Sequence, residues 1–166
     1  MIQRIAAALV ASLALVSPAS ARVESGTPGL LKLLGEYGVT VLYNPSRCSS
    51  GKFHGSYAPA TKTMSLCYQG TPGAEAHDTV RHEAWHVVQH CATSRRGQYP
   101  LYPVALDESA RRAWLTKSLT SRAIAGIKEA YPAEVHAVEL EAFAAARVYS
   151  AADIGGYIRA WCTKSR

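Results

Sequence analysis

Apolar and polar positions change rhythm near residue 74 of this chain. Upstream, short alternating runs are broken by turn residues. Leu30 to Tyr37 carries a short helical pattern closed by Gly38, after a loose leader over 22–29. Val39 to Tyr43 alternates as a strand and stops at Asn44-Pro45. Gly51–Tyr57 and Thr63–Cys67 alternate on either side of Ala58-Pro-Ala-Thr-Lys62, the pattern of a β-hairpin. Downstream the period becomes helical. One helix is predicted over 74–91, then a loop holding Gly97, Pro100 and Pro103. Further helices are predicted over 106–119, 121–130, 132–149 and 151–162. Asp107 and Ser150 suit N-caps, and Pro132 suits a first turn. Three strands followed by a helical majority predict an α+β fold, with a short antiparallel sheet packed on a helical bundle.

The N-terminus has a separate logic. Arg4 precedes an apolar stretch from Ile5 to Val16, and Ala19-Ser20-Ala21 supplies small residues. These are the parts of a secretory signal peptide, with cleavage expected after Ala21. A membrane anchor is the alternative, but the stretch is short for that. Residues 22–166 are then expected to form one exported domain, periplasmic or secreted, with no transmembrane segment in the mature chain. An apolar fraction of 48% suits a packed core and excludes disordered or collagen-like chains. A net charge of +6 permits contact with anionic surfaces without requiring it. Arg95-Arg96 and Arg111-Arg112 read as solvated faces, and no nucleic-acid partner is expected.

Export makes disulfides the default for Cys48, Cys67, Cys91 and Cys162. Of three possible connectivities, Cys48–Cys67 and Cys91–Cys162 are favoured. The first would tie two neighbouring strands, the second would pin the last helix to the end of the central one. The cysteines lack the close paired spacing of a zinc site.

The central helix carries His82-Glu83-Ala84-Trp85-His86, an HExxH motif. Histidines four apart project from one helix face, a spacing that suits two nitrogens on one Zn²⁺. Glu83 lies about 100° round the helix from His82 and can reach an activated water without ligating the metal. Chance would produce the pentapeptide in roughly one such chain in a hundred. Its helix adds weight. Val80, Ala84, Val87, Val88 and Cys91 gather on one face, while His82 and His86 fall opposite with Asp78 and Gln89. His90 lies about 12 Å along the axis from His82, too far to share its metal.

A catalytic zinc takes three protein ligands and leaves one position open. Glu134, Glu139 and Glu141 compete for the third place on the helix over 132–149. Glu139 borders the apolar face centred on Val135, Val138, Ala142, Ala145 and Tyr149, whereas Glu134 and Glu141 lie further round. A carboxylate at the edge of a packed face is costly unless paired or bound to metal, so Glu139 is the choice. Ala142, Ala144, Ala145 and Ala146 would allow close approach to the zinc helix.

With these residues the chain resembles small zinc metallopeptidases of the gluzincin type, over roughly residues 51–149. That family pairs HExxH with a later helical Glu, often as E-x-x-A-[DN]. Glu139-Leu140-Glu141-Ala142 matches its first four positions, while Phe143 stands where the family often has Asp or Asn to orient a zinc histidine. His86-Val-Val-Gln89 matches an HExxHxxQ variant found among bacterial peptidases. The hairpin resembles the family's edge strand, which can pair with an extended substrate. The resemblance implies one Zn²⁺ per chain on His82, His86 and Glu139. It also implies an endopeptidase acting on a peptide or protein through a metal-activated water, with Glu83 as general base; the exported chain is expected to be a monomer. A transition-state stabiliser is expected, with Tyr131 and His136 as candidates and Tyr99 and Tyr102 as others. Asp78 or Asp107 could take the orienting role missing at Phe143. Two rivals stand beside this reading: an inactive zinc-binding envelope protein of the same fold, and a basic envelope-binding protein in which HExxH is accidental.

Overall fold

The computed structural model describes residues 19–50, 53–68, 74–97, 101–105 and 107–163. Most of the expected signal segment lies outside them, as do Tyr99 and the loop over 69–73. The first described element is α1 (Ala19–Glu36), which runs through Pro28. The loose leader expected over 22–29 is therefore helical. Packing explains the difference. Thr27, Leu30, Leu33 and Leu34 are buried, and Gly26 comes so near Ala151 that an added Cβ would lie 3.2 Å from the Ala151 Cβ. The helix ends as expected at Gly38, whose φ is +80°. The Val39 amide donates to the Leu34 carbonyl at 3.0 Å and the Gly38 amide to Gly35 at 3.0 Å, closing a Schellman turn.

Strands β1 (Thr40–Tyr43), β2 (Gly55–Ala58) and β3 (Thr63–Leu66) form one sheet in the order β1-β3-β2. The hairpin β2–β3 is antiparallel, with Tyr57 opposite Met64. The pairing of β1 with β3 is parallel, with Val41 opposite Met64. The sheet is thus mixed rather than antiparallel. After β1 the chain crosses through a 3₁₀ turn at Ser46–Ser50 before it enters the far strand, so β3 returns in the middle alongside β1. Cys48 bonds to Cys67 as expected, though it ties this 3₁₀ turn to the end of β3 rather than two strands to each other.

Six α-helices are present among the described residues. The central one, α2 (Ala74–Arg95), outruns its expected end by one turn. It is followed by α3 (Glu108–Ser118), α4 (Ser121–Ala130), a 3₁₀ turn at Ala133–Val135, α5 (His136–Val148) and α6 (Ala151–Trp161). Asp107 caps α3 by accepting from the Ala110 amide at 2.7 Å, and Ser150 caps α6 in a capping box with Asp153. The Cys91–Cys162 bond pins the end of α6 to α2.

The main core gathers Leu34, Met64, Leu66, Val80, Val88 and Ile154 around α2. A second cluster, Leu115, Leu119, Ile127, Leu140 and Ala144, lies between α3, α4 and α5. Helix α5 therefore buries two faces. Its alanines Ala142, Ala145 and Ala146 are closed off from solvent, which allows α5 to lie close against α2. No helix among the described residues is long and apolar enough to cross a membrane.

Candidate metal centre

The packing of α5 on α2 brings Glu139 to the two histidines of the motif. One ligand atom each from His82, His86 and Glu139 lies within 4.8 Å of the others. The Nε2 atoms of His82 and His86 are 3.1 Å apart. Glu139 places Oε2 at 3.3 Å from His82 Nε2 and Oε1 at 3.5 Å from His86 Nε2. Two imidazole nitrogens and a carboxylate oxygen converge from two helices, and this donor set suits a divalent ion of the zinc type. Glu139 Oε2 and Glu83 Oε2 are buried without hydrogen-bond partners among the described residues. Such atoms are costly in an apolar setting unless a ligand meets them. The residues present therefore fit a metal ion.

The site is electrostatically tense. Burial holds the His82 pKa below the ordinary imidazole value, and the neighbouring His86 adds to that effect. Burial also opposes charge on His86, but Glu139, Glu83 and Gln89 outweigh it and raise its pKa to about 9. Glu139 is pushed up by burial and pulled down further by the two imidazoles, to about 2. Glu83 is only 4% exposed. Burial raises its pKa to about 7, helped by the charge of Glu139 and opposed by His86 and Arg47.

Strand β2 covers this side of α2. A Cβ at Gly55 would lie 2.6 Å from the Thr79 Cγ2 and 2.8 Å from the Glu83 Oε1. Only glycine lets the edge strand approach Glu83 so closely.

Compared with protein-family models, curated proteins and solved structures, the chain matches none. The reading of the site rests on its own geometry.

Phe143 packs edge-on against the His82 ring at 4.3 Å between centroids and against Tyr131 at 6.0 Å. Burial and then the charges of Glu139 and Glu83 raise the Tyr131 pKa to about 12, so this phenol lies within the field of both carboxylates. The His136 Nε2 donates to the Tyr131 carbonyl at 2.7 Å. Tyr102 is exposed, with its amide donating to Thr93 Oγ1. His90 pairs with the Tyr57 hydroxyl at 2.8 Å, away from the triad. Neither aspartate takes the orienting role. Asp78 pairs with Arg81, and Asp107 is spent on the α3 cap.

Sequence reasoning misplaced one polar side chain, Glu141, and left the partners of another, Gln89, unseen. Gln89 does lie on the histidine side of α2, as expected, and that side is buried, whereas Glu141, set away from the packed face of α5, is 1% exposed. Glu141 accepts from Trp85 Nε1 at 3.2 Å, Gln89 Nε2 at 2.8 Å, the Val104 amide at 2.9 Å and the Ala105 amide at 3.1 Å. The helical wheel treated α5 as one-sided, whereas it is enclosed by α2, α3 and α4. The available signal was Gln89 itself, three residues after a motif histidine.

Proposed function

We propose that the chain is an exported zinc-dependent metallopeptidase. The observation that carries this reading is the convergence of His82, His86 and Glu139, with Glu83 buried beside them and one carboxylate oxygen of each glutamate without a hydrogen-bond partner among the described residues. Those three residues would hold one Zn²⁺. When bound, such an ion supplies Lewis-acid polarisation of a carbonyl and lowers the pKa of water. Glu83 would take a proton from the attacking water as its oxygen bonds to the scissile carbonyl carbon. As the carbon–nitrogen bond breaks, Glu83 would return the proton to the leaving amine. The unpaired edge of β2, which runs past Glu83, would hold a peptide or protein substrate extended by strand pairing. Tyr131 is the better-placed stabiliser of developing negative charge, because His136 is already engaged by a backbone carbonyl. The two disulfides suit an oxidising compartment outside the cytoplasm.

A second reading, a zinc-binding protein of the same fold without hydrolysis, is favoured by one observation. His82 Nδ1 has no hydrogen-bond partner among the described residues, and Phe143 supplies only packing to that ring. Substituting Glu83→Gln separates the two. Peptide hydrolysis by the zinc-loaded protein should fall by roughly 10²- to 10⁴-fold while zinc stays bound. Hydrolysis absent from the wild type, with zinc retained, supports the second reading.

A further inference from the structure

We propose that Gln89 and Glu141 are positioning residues that aim His86 at the metal and hold it in register with Glu139; this rests on the metal-site reading above. The side-chain amide of Gln89 donates to the Val138 carbonyl at 3.0 Å and to Glu141 Oε2 at 2.8 Å. Both acceptors lack a proton to give, so they require the nitrogen of the amide on that side. Its oxygen is thereby turned towards His86, where it lies 2.7 Å from Nδ1. An amide oxygen can only accept, so His86 carries a proton on Nδ1. Its Nε2 is the atom facing His82 and Glu139. The hydrogen bond at one ring nitrogen thus decides which nitrogen is offered to a metal.

The same amide does a second thing. Val138 immediately precedes Glu139, so one side chain ties the ring of one ligand to the backbone beside another. Glu141 fixes the amide from behind. It is itself fixed by two backbone amides of the segment before α3 and by the Trp85 indole. The chain of contacts runs from that segment through Glu141 and Gln89 to His86. It reaches His86 and leaves His82 to the Phe143 ring.

The test is the zinc dissociation constant of the full chain, measured by chelator competition, for wild type, Gln89→Leu, Glu141→Gln and the double variant. Thermal melts of the metal-free proteins identify any variant that does not fold. Gln89→Leu should weaken zinc binding by roughly 10- to 100-fold. Glu141→Gln should weaken it less, and should add nothing in the Gln89→Leu background, because it acts through Gln89. Unchanged zinc affinity in folded Gln89→Leu would overturn the proposal, and so would additive effects in the double variant. A nitrogen-15 spectrum of the metal-free protein gives an answer independent of zinc. The His86 Nδ1 proton should exchange slowly in wild type and rapidly in Gln89→Leu. Wild type that binds no zinc yet shows this protected proton would defeat the metal-site reading while leaving the hydrogen-bond chain in place. An unprotonated His86 Nδ1 in wild type would defeat the chain itself.

Discussion

At residue scale, neighbouring carboxylates of α5 do different work because their surroundings differ. Glu139 meets two imidazoles and has an oxygen left without a hydrogen bond. Glu141 meets only N–H donors and is saturated by them. Sequence pattern separated Glu139 as the candidate ligand because it borders the packed face. It did not reveal Glu141, because the donors that satisfy it come from α2 and from residues 104–105, remote in the chain. Gly55 is a comparable case: an isolated glycine in a strand is ambiguous until Glu83 is found against it. A Gly55→Ala substitution must displace β2 or the Glu83 side chain. On the proposed reading it lowers peptide hydrolysis by roughly 10- to 100-fold while zinc affinity stays at the wild-type value. A kinetic comparison at saturating zinc checks this, and a variant that loses zinc instead would place Gly55 in support of the ligands.

At element scale, helix starts and the hairpin were legible because their signals are local. The Ser150 cap forms with the Asp153 carboxylate accepting from the Ser150 amide at 3.0 Å, and the β2–β3 pairing follows the alternation. The N-terminal half of helix α1, over the expected loose leader, and the sheet's mixed direction were not legible. The former depends on Gly26 and Leu33 meeting α6, the latter on the path taken between β1 and β2. The cap makes a pH prediction. Hydrogen bonds from Ser150 hold the Asp153 carboxyl below its ordinary value. A lowered folded pKa contributes stability above the unfolded value of about 3.9 and loses it as pH falls through the folded value. Replacing Ser150 by Ala should cost about 0.5–2 kcal/mol near neutrality. Replacing Asp153 by Asn should destabilise at pH 7 and converge on wild type in strong acid. Denaturant melts at several pH values measure both, and a penalty for Asp153→Asn that grows in acid would contradict the assignment.

For the whole molecule, the architecture is a helix carrying the motif, wrapped on nearly every side. Helix α2 meets α1, α5, α6 and two strands, which is why even its polar face is buried. Both disulfides anchor this arrangement. They close loops of different length, 19 and 71 residues apart in sequence. On loop entropy the longer bridge contributes more, about 4 kcal/mol against about 3. Paired Cys91→Ala and Cys162→Ala substitutions should therefore lower unfolding free energy more than removal of Cys48–Cys67. Equal losses in denaturant unfolding would mean the longer bridge constrains the unfolded chain no more than the shorter one.

The most direct measurement of the central claim is metal content by elemental analysis after reconstitution, on purified wild type beside Glu139→Ala. The convergence of His82, His86 and Glu139 predicts about one zinc per wild-type chain, lost or greatly weakened in the variant. Wild type that takes up no zinc, or a variant that keeps it undiminished, would contradict the three-residue metal centre and the peptidase reading built on it.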